Sequence, residues 1–267
     1  VPSQLDPRQL LAAYDAQLRA RPDPDLPERA VLEWDGPLMR VSGVYTGGFV
    51  EYRDLGGLTG DELDAFIARQ RDHFAARGEE FEWKTRGHDL PEDLPQRLLA
   101  AGFVPQERET VIIGLAADHA DAHPPLPEGV TLRETRSPAD FGHIAELNTV
   151  VWETDMGWLS EMLSTESTSD NLKVYVAEAD GRVVSAAWIR FVPGTDFAGL
   201  WGGSTLKEYR GRGLYRALVA VRAADAVARG HKYLQVDASD DSRPILERLG
   251  FVAVTTTTPY MWRPSST

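Results

Sequence analysis

The sequence predicts an α/β (α+β) chain of two consecutive units, and three observations carry that prediction. Strand-like runs alternate with amphipathic helical patterns from Pro7 to Trp262. A helix ending in Gly-Phe occurs twice, since Leu98-Leu99-Ala100-Ala101-Gly102-Phe103 aligns with Leu246-Glu247-Arg248-Leu249-Gly250-Phe251 at a constant offset of 148 residues. A β-rich tail follows each copy, so the pair reads as a long internal repeat. At 267 residues the chain has the length of two units, or of one unit with an extension.

In order, the first unit opens with a helix over Pro7 to Ala20 and a Pro-rich connection at Arg21 to Pro27. Two strands are expected at Leu38 to Ser42 and Phe49 to Tyr52. A helix then runs from Gly60-Asp61 to Ala76, capped by Asp61 or Thr59 and apolar at Leu63, Phe66, Ile67 and Phe74. A strand at Phe81 to Lys84, a helix at Glu92 to Ala101 and a strand at Glu109 to Gly114 complete the unit. Ala116 to Glu128, rich in Ala, Asp, His and Pro, reads as a solvated connector. His119 and His123 lie four apart beside Asp118 and Asp121, but Pro124-Pro125 follows and denies them the rigid face a metal site needs. No metal is expected.

The second unit reads as a strand at Val130 to Arg133, a helix at Pro138 to Trp152, a loop, and a short helix at Trp158 to Leu163. Asp180-Gly181 between two apolar runs signals a hairpin of Lys173 to Glu178 with Arg182 to Phe191. A strand from Ala198 leads through Gly202-Gly203-Ser204 into Thr205 to Arg216, and a helix leads out with Leu214, Leu218, Val221 and Ala224 or Ala228 on one face. The next strand is expected at His231 to Asp237, then a short helix at Ser242 to Leu249 closed by Gly250-Phe251.

Composition narrows the function classes. The formal charge of −13 argues against nucleic acid and is compatible with cationic substrates. With no cysteine there is no disulfide, thiolate nucleophile or Cys-ligated metal. There is no apolar run long enough to span a bilayer, and Val1 to Asp6 lacks a signal-peptide pattern, so no membrane partner and a cytoplasmic location are expected. Against that acidic background Lys207, Arg210, Arg212, Arg216 and Arg222 face only Glu208. A glycine-relieved turn opening a helix presents unpaired N–H groups and the positive end of the helix dipole, which together suit a phosphate. The spacing is neither G-x-x-x-x-G-K-[ST] nor G-x-G-x-x-G.

Arg210 to Tyr215 resembles the R/Q-x-x-G-x-G/A pyrophosphate loop of the GNAT superfamily of N-acetyltransferases, which bind acetyl-CoA. Arg210 takes the first position and Gly213 the central one, while Tyr215 stands where the family usually has Gly or Ala. Ile245 to Phe251 is similar to the family's l-Y-e-k-l-G-F signature. The resemblance is strong over Val130 to Trp262 and weak over Leu38 to Gly114. It implies two GNAT-like domains, each a mixed, mostly antiparallel sheet flanked by helices: a degenerate copy at 1–115, a linker at 116–128 and an acetyl-CoA-binding domain at 129–267. The first copy's turn, Asp54-Leu55-Gly56-Gly57-Leu58-Thr59-Gly60-Asp61, is acidic, and no CoA is expected there.

What the resemblance implies for chemistry is direct attack of a small-molecule or peptide amine on the acetyl-CoA thioester, without an acyl-enzyme. Thr205 and Leu206 are then expected to give backbone contacts to the pantetheine arm. Arg210, Gly211, Arg212, Gly213, Leu214 and Tyr215 hold the pyrophosphate, and Ser239 falls where a family asparagine contacts CoA. Leu246 replaces the tyrosine that protonates the leaving thiolate, which leaves Tyr215 and Tyr260 as substitutes. Glu153 is the chosen base over Asp155, Asp237 and Asp240. Trp152 and Trp158 are expected to wall the acceptor pocket; for Trp188 and Trp201 core packing serves equally well. The alternative is a non-catalytic acyl-CoA-binding or scaffold protein that has lost its acid, and a narrower one is a mycothiol-synthase-like tandem enzyme. The acceptor and the oligomeric state stay open.

Overall fold

The structure is a computed structural model, and it describes residues 6–122 and 124–264. The start of the chain, where the absence of a signal peptide was read, and His123 lie outside the described residues. By contacts the chain forms two compact units, one up to Ile112 and again from Asp237, the other Ile113–Val236.

The first unit opens with α1 (Pro7–Gln17), where Asp6 caps the helix by accepting from the Arg8 N–H at 2.9 Å and Pro7 takes the first turn. Its sheet runs β1 (Val31–Asp35), β2 (Leu38–Ser42), β3 (Gly48–Tyr52), β4 (Phe81–Arg86) and β12 (Val252–Trp262). Pairs are antiparallel except β3 with β4, which α2 (Gly60–Ala76) joins as a crossover. β1 was not expected, although Asp35-Gly36 marks its hairpin just as Asp180-Gly181 marks the later one. Thr59 is the N-cap of α2, without a side-chain hydrogen bond. α3 (Leu94–Ala100) ends at Gly102-Phe103, short β5 (Val104–Pro105) adds to β12, and β6 (Glu109–Leu115) follows. Phe66, Phe74, Phe81, Trp83, Phe103, Tyr260 and Trp262 share one core, each large apolar side chain contributing about 1.5–3 kcal/mol by burial.

The expected domain order placed 129–267 in one body. Pairing instead puts β12 beside β4, from Thr257 opposite Arg86 to Trp262 opposite Phe81, so the last segment packs with the first unit. The repeat is visible in the helix ends. The Phe103 N–H bonds the Leu98 carbonyl at 3.0 Å, and the Phe251 N–H bonds the Leu246 carbonyl at 3.1 Å. Each closes a Schellman turn over a glycine of positive φ.

The second unit is a sheet in the order β7 (Val130–Thr135), β8 (Leu172–Ala179), β9 (Arg182–Phe191), β10 (Phe197–Thr205), β11 (Tyr233–Ala238). Only β10 with β11 is parallel, and α7 (Leu214–Ala228) is its crossover. α5 (Pro138–Trp152) and α6 (Trp158–Glu166) come between β7 and β8. The 116–128 stretch was expected to be solvated throughout. It contains instead a short turn of helix, α4 (Ala117–Ala120), with Ala116 and His119 buried and packed towards α7. Burial lowers the His119 pKa, Asp118 opposing.

Candidate functional site

The candidate site is built by β10 and the turn after it. β10 pairs with β11 only over Phe197↔Tyr233, Ala198↔Leu234 and Gly199↔Gln235. On the other side it follows β9 to Thr205↔Ser185, but with one residue too many. Trp201 stands opposite Trp188 and Ser204 opposite Ala186, so Gly202 and Gly203 together face Ala187. This bulge bends β10 and leaves its β11-side backbone open beyond Gly199. Glycine is required at Gly202: φ is +66°, and an added Cβ would sit 1.8 Å from the Trp188 ring.

The turn follows at once. Leu206 has both backbone groups engaged, its N–H with the Val184 carbonyl at 3.0 Å and its C=O with the Tyr209 N–H at 2.9 Å. Leu206 was expected to offer backbone contacts. Those groups are taken because the strand's pairing with β9 continues to that residue. Thr205 is held at its side chain by Ser185 (2.7 Å), and its carbonyl accepts from Arg210 Nε at 3.0 Å. After a 3-10 turn at Lys207–Tyr209, Gly211 (φ +71°) and Gly213 (φ +89°) carry the chain into α7. Gly213 occupies the N-cap and has no side chain to satisfy the first amides. Among the described residues nothing in the chain accepts a hydrogen bond from the N–H groups of 211–216. They are the unpaired donors of a helix N-terminus.

Lys207, Arg210, Arg212 and Arg216 are all exposed around this turn. The Arg212 guanidinium lies over the Tyr209 ring at 5.3 Å, and Glu208 is drawn to Arg182 at 3.6 Å, away from the cations. Arg222 does not belong with them. It is 1% exposed on the inner face of α7, because the buried stripe runs Leu214, Leu218, Arg222, Ala226 rather than through Val221 and Ala224. Its Nε donates to the Leu218 carbonyl (2.8 Å) and its Nη1 to the carbonyls of Trp188 (3.1 Å) and Trp201 (3.3 Å).

Tyr215 places its ring against the bulge, where a Cβ on Gly203 would lie 2.7 Å from its Cε2. Burial raises the phenol's pKa, with Arg222 pulling the other way. Tyr260, the other expected acid, is 7% exposed within the aromatic core of the first unit and is a packing residue. Leu246 is fully buried. Ser239 accepts from the Ser242 N–H at 3.4 Å and so helps start α8 (Arg243–Arg248).

Glu153 is the C-cap of α5 in a left-handed conformation (φ 53°), exposed, and its carboxylate has no partner among the described residues. The other acids considered for the base are engaged or elsewhere: Asp155 accepts from the Gly157 N–H at 2.9 Å, and Asp237 pairs with Lys84 at 3.3 Å in the first unit. Next to Glu153, Trp152 is half exposed yet fixed. Its Nε1 donates to Ser204 Oγ at 3.1 Å, and that hydroxyl donates to Asn148 Oδ1 at 2.7 Å. This link was missed because its members are 52 and 56 residues apart. Trp188 is core at 5% exposure, whereas Trp201, 44% exposed, lies under the Arg190 guanidinium. A groove of about 350 Å³ beside the turn is lined by His143, Glu146, Val150, Arg182 and Leu206.

The corresponding stretch of the first unit is built differently. β3 and β4 part after Val50↔Trp83, and the following Tyr52 and Leu55 are buried in the core of the unit. The Tyr52 hydroxyl donates to Asp89 (2.5 Å), and Asp54 captures the Gly56 N–H at 2.9 Å.

Residues 139–251 match the acetyltransferase (GNAT) family. No curated protein matches the chain. Among solved structures, a GCN5-related N-acetyltransferase from Kribbella flavida is similar over 97% of this chain and 95% of its own, with a TM-score of 0.69 at 17% identity. A tandem GNAT protein from the clavulanic acid biosynthesis pathway is similar over 98% and 95%, with a TM-score of 0.64 at 16% identity. A GNAT-family acetyltransferase described as putative, from Novosphingobium aromaticivorans, reaches 0.53 at 21% identity over 90% and 92%. The chain thus has a GNAT-type fold over nearly its whole length, and residues 139–251 are the part that matches the acetyltransferase (GNAT) family.

Proposed function

We propose that the chain transfers an acetyl group from acetyl-CoA to a primary amine of a small molecule or peptide. The observation that carries this reading is the run of free amide N–H groups at 211–216, among exposed cations, directly downstream of an opened strand. That arrangement fits a diphosphate: glycine backbone approaches it closely, and the dipole of α7 and the guanidinium groups oppose its charge. The pantetheine arm then extends β10 on the side that β11 leaves, with Thr205 at its entry.

In this reading the amine nitrogen attacks the thioester carbonyl directly. Glu153 takes the amine's proton, the bulge N–H groups stabilise the developing oxyanion, and the C–S bond breaks as the C–N bond is kept. Tyr215, held protonated by burial, gives its proton to the departing thiolate. Trp152, fixed through Ser204, walls the acceptor side. The first unit acts as a structural partner without CoA, consistent with the acids Asp61 and Glu62 in the first turn of α2. Location in the cytoplasm, with neither nucleic acid nor membrane as partner, belongs to the same proposal. Among the described residues no helix is long and apolar enough to cross a membrane.

A second reading, an acyl-CoA-binding protein without turnover, is favoured by one observation, the buried Leu246 in the position of the acid. Thiol release with acetyl-CoA and a panel of amines, alongside calorimetric titration with CoA, tests both. Binding with turnover on any amine supports the enzyme; binding without turnover on all supports the second reading. No affinity for CoA overturns both.

A further inference from the structure

Arg222 is an unusual residue to find where it is. Its side chain is enclosed, and no carboxylate reaches it among the described residues. The nearest acid on its own helix, Asp225, is taken by Lys173 at 2.8 Å and by the Tyr175 hydroxyl. The titratable groups that act on it are the phenols of Tyr215 and Tyr175. A buried, unpaired cation costs several kcal/mol, so its retention needs a compensating interaction. That interaction is specific. Trp188 and Trp201 are the last directly opposed pair before the bulge, and the guanidinium binds both of their carbonyls. A β-bulge interrupts the ladder and leaves backbone groups without strand partners, and here a side chain donor takes their place.

We infer that Arg222 is a positioning residue for acyl transfer: it pins the carbonyls that border the β10 bulge and sets a net positive charge behind it, so that the bulge amides are held towards the thioester oxygen. The inference rests on the proposed acetyl transfer and goes beyond it in assigning a buried α7 side chain to the polarisation of the carbonyl. Burial lowers the guanidinium's pKa to about 10, with Tyr215 and Tyr175 opposing, which leaves it charged at neutral pH. The Trp201 carbonyl belongs to the peptide that carries the Gly202 N–H, so holding it orients that donor, and the guanidinium's charge needs no reorganisation when the oxyanion forms. Tyr215 and Trp188, which pack against Gly203 and Gly202, fix the same bulge sterically. Arg222 adds the polar hold that neither ring supplies.

The test compares Arg222→Lys and Arg222→Met with the parent. CoA affinity is read by calorimetry, kcat with the best amine of the panel, and the carbonyl stretch of bound 13C-labelled acetyl-CoA by infrared difference spectroscopy. For Arg222→Met we expect CoA affinity within about 3-fold of the parent, kcat lower by about 100-fold, and a carbonyl band moved towards its position in free acetyl-CoA. Arg222→Lys keeps the charge and loses the fork, and its kcat should fall about 10-fold, with an intermediate band. A parent-like kcat and band in Arg222→Met overturn the inference, as does an Arg222→Lys no better than Arg222→Met. If Arg222→Met does not fold, the band of Arg222→Lys decides alone: an unmoved band overturns it. A parent that binds CoA while the variants behave like it defeats this inference only, whereas a parent without CoA affinity defeats the underlying reading as well.

Discussion

Replacing Gly213 by alanine separates the backbone of the turn from its charges. Gly213 has φ +89°, and an added Cβ would meet only the Pro125 carbonyl, at 3.5 Å, an ordinary contact. The cost is therefore conformational, about 1–2 kcal/mol for an L-residue in left-handed geometry. If the free variant relaxes and CoA binding must restore the turn, that cost appears in affinity as a loss of about 5- to 30-fold. If the turn is held regardless, the same cost appears as lower stability. Gly230 supplies the control. It has φ +82° at the other end of α7, with nothing within 4 Å of an added Cβ, so Gly230→Ala carries the same strain away from the site. Gly213→Glu adds a carboxylate that suits the bare helix terminus, by about 0.3–1 kcal/mol, but repels a diphosphate. It bears the same left-handed strain as Gly213→Ala, so against that variant its stability should rise while its CoA affinity falls further. Calorimetric titration with CoA and thermal melts read both quantities. Parent-like CoA affinity in Gly213→Ala and Gly213→Glu, with Gly230→Ala equally strained, would refute the claim that this turn grips the diphosphate.

Three further outcomes are expected. Tyr215→Phe should bind CoA within about 2-fold of the parent and lose about 100-fold in kcat, the scale of a general acid; undiminished turnover removes Tyr215 from the chemistry. Burial pushes the Glu109 carboxyl up to about 7, with Lys84 opposing, so the folded state holds a proton that the unfolded chain releases nearer pH 4.5. Stability from this group is full below that lower value and falls as pH rises through 7. Glu109→Gln should thus raise Tm at pH 8, by about 2–4 °C after discounting for partial exposure, and leave it unchanged at pH 4; an equal rise at both values contradicts the assignment. Asp89→Ala takes from Arg19, whose side chain is only 2% exposed, its 2.7 Å carboxylate partner and leaves it Asp15 at 3.6 Å. A loss of about 3 kcal/mol in urea unfolding, with unchanged CoA affinity, is expected if the first unit is structural; a matching loss of affinity would count against that role.

What was legible in the sequence was local. Two glycines among arginines after an apolar run describe the turn, because positive φ and missing N–H partners arise within a few residues. The repeated Gly-Phe junction was legible for the same reason, since a Schellman turn is closed by neighbours in sequence. What escaped depended on contacts across the fold. Arg222 read as one more cation of the turn, although its place four residues after Leu218 and four before Ala226 put it on the buried stripe. Gly202-Gly203 was in view, but a bulge is a relation to β9 and has no signature in β10 alone. The Asn148–Ser204–Trp152 link and the pairing of β12 with β4 join residues far apart in the chain, and order along the chain pointed the last strand to the other unit.

The two copies explain why one turn is a candidate and the other is not. Each has a parallel strand pair with three registered positions, Gly48 to Val50 on β3 and Phe197 to Gly199 on β10, and each sends a helix across it. Splayed strands are therefore a property of the architecture and carry no function by themselves. The copies part at the next step. β3 keeps an unbroken register with β2, and Tyr52 and Leu55 beyond its paired positions are buried in the core, the Tyr52 hydroxyl donating to Asp89. Its helix begins with Asp61 and Glu62, acids that already neutralise the terminus a phosphate would use. β10 instead carries an extra residue backed by a buried guanidinium, and α7 begins with no acid in its first turn. A binding site here requires donors left unsatisfied and a strand left unpaired, both of which cost stability. In the second unit both stand with no acid in the first turn of the helix, whereas in the first unit Asp61 and Glu62 occupy that turn.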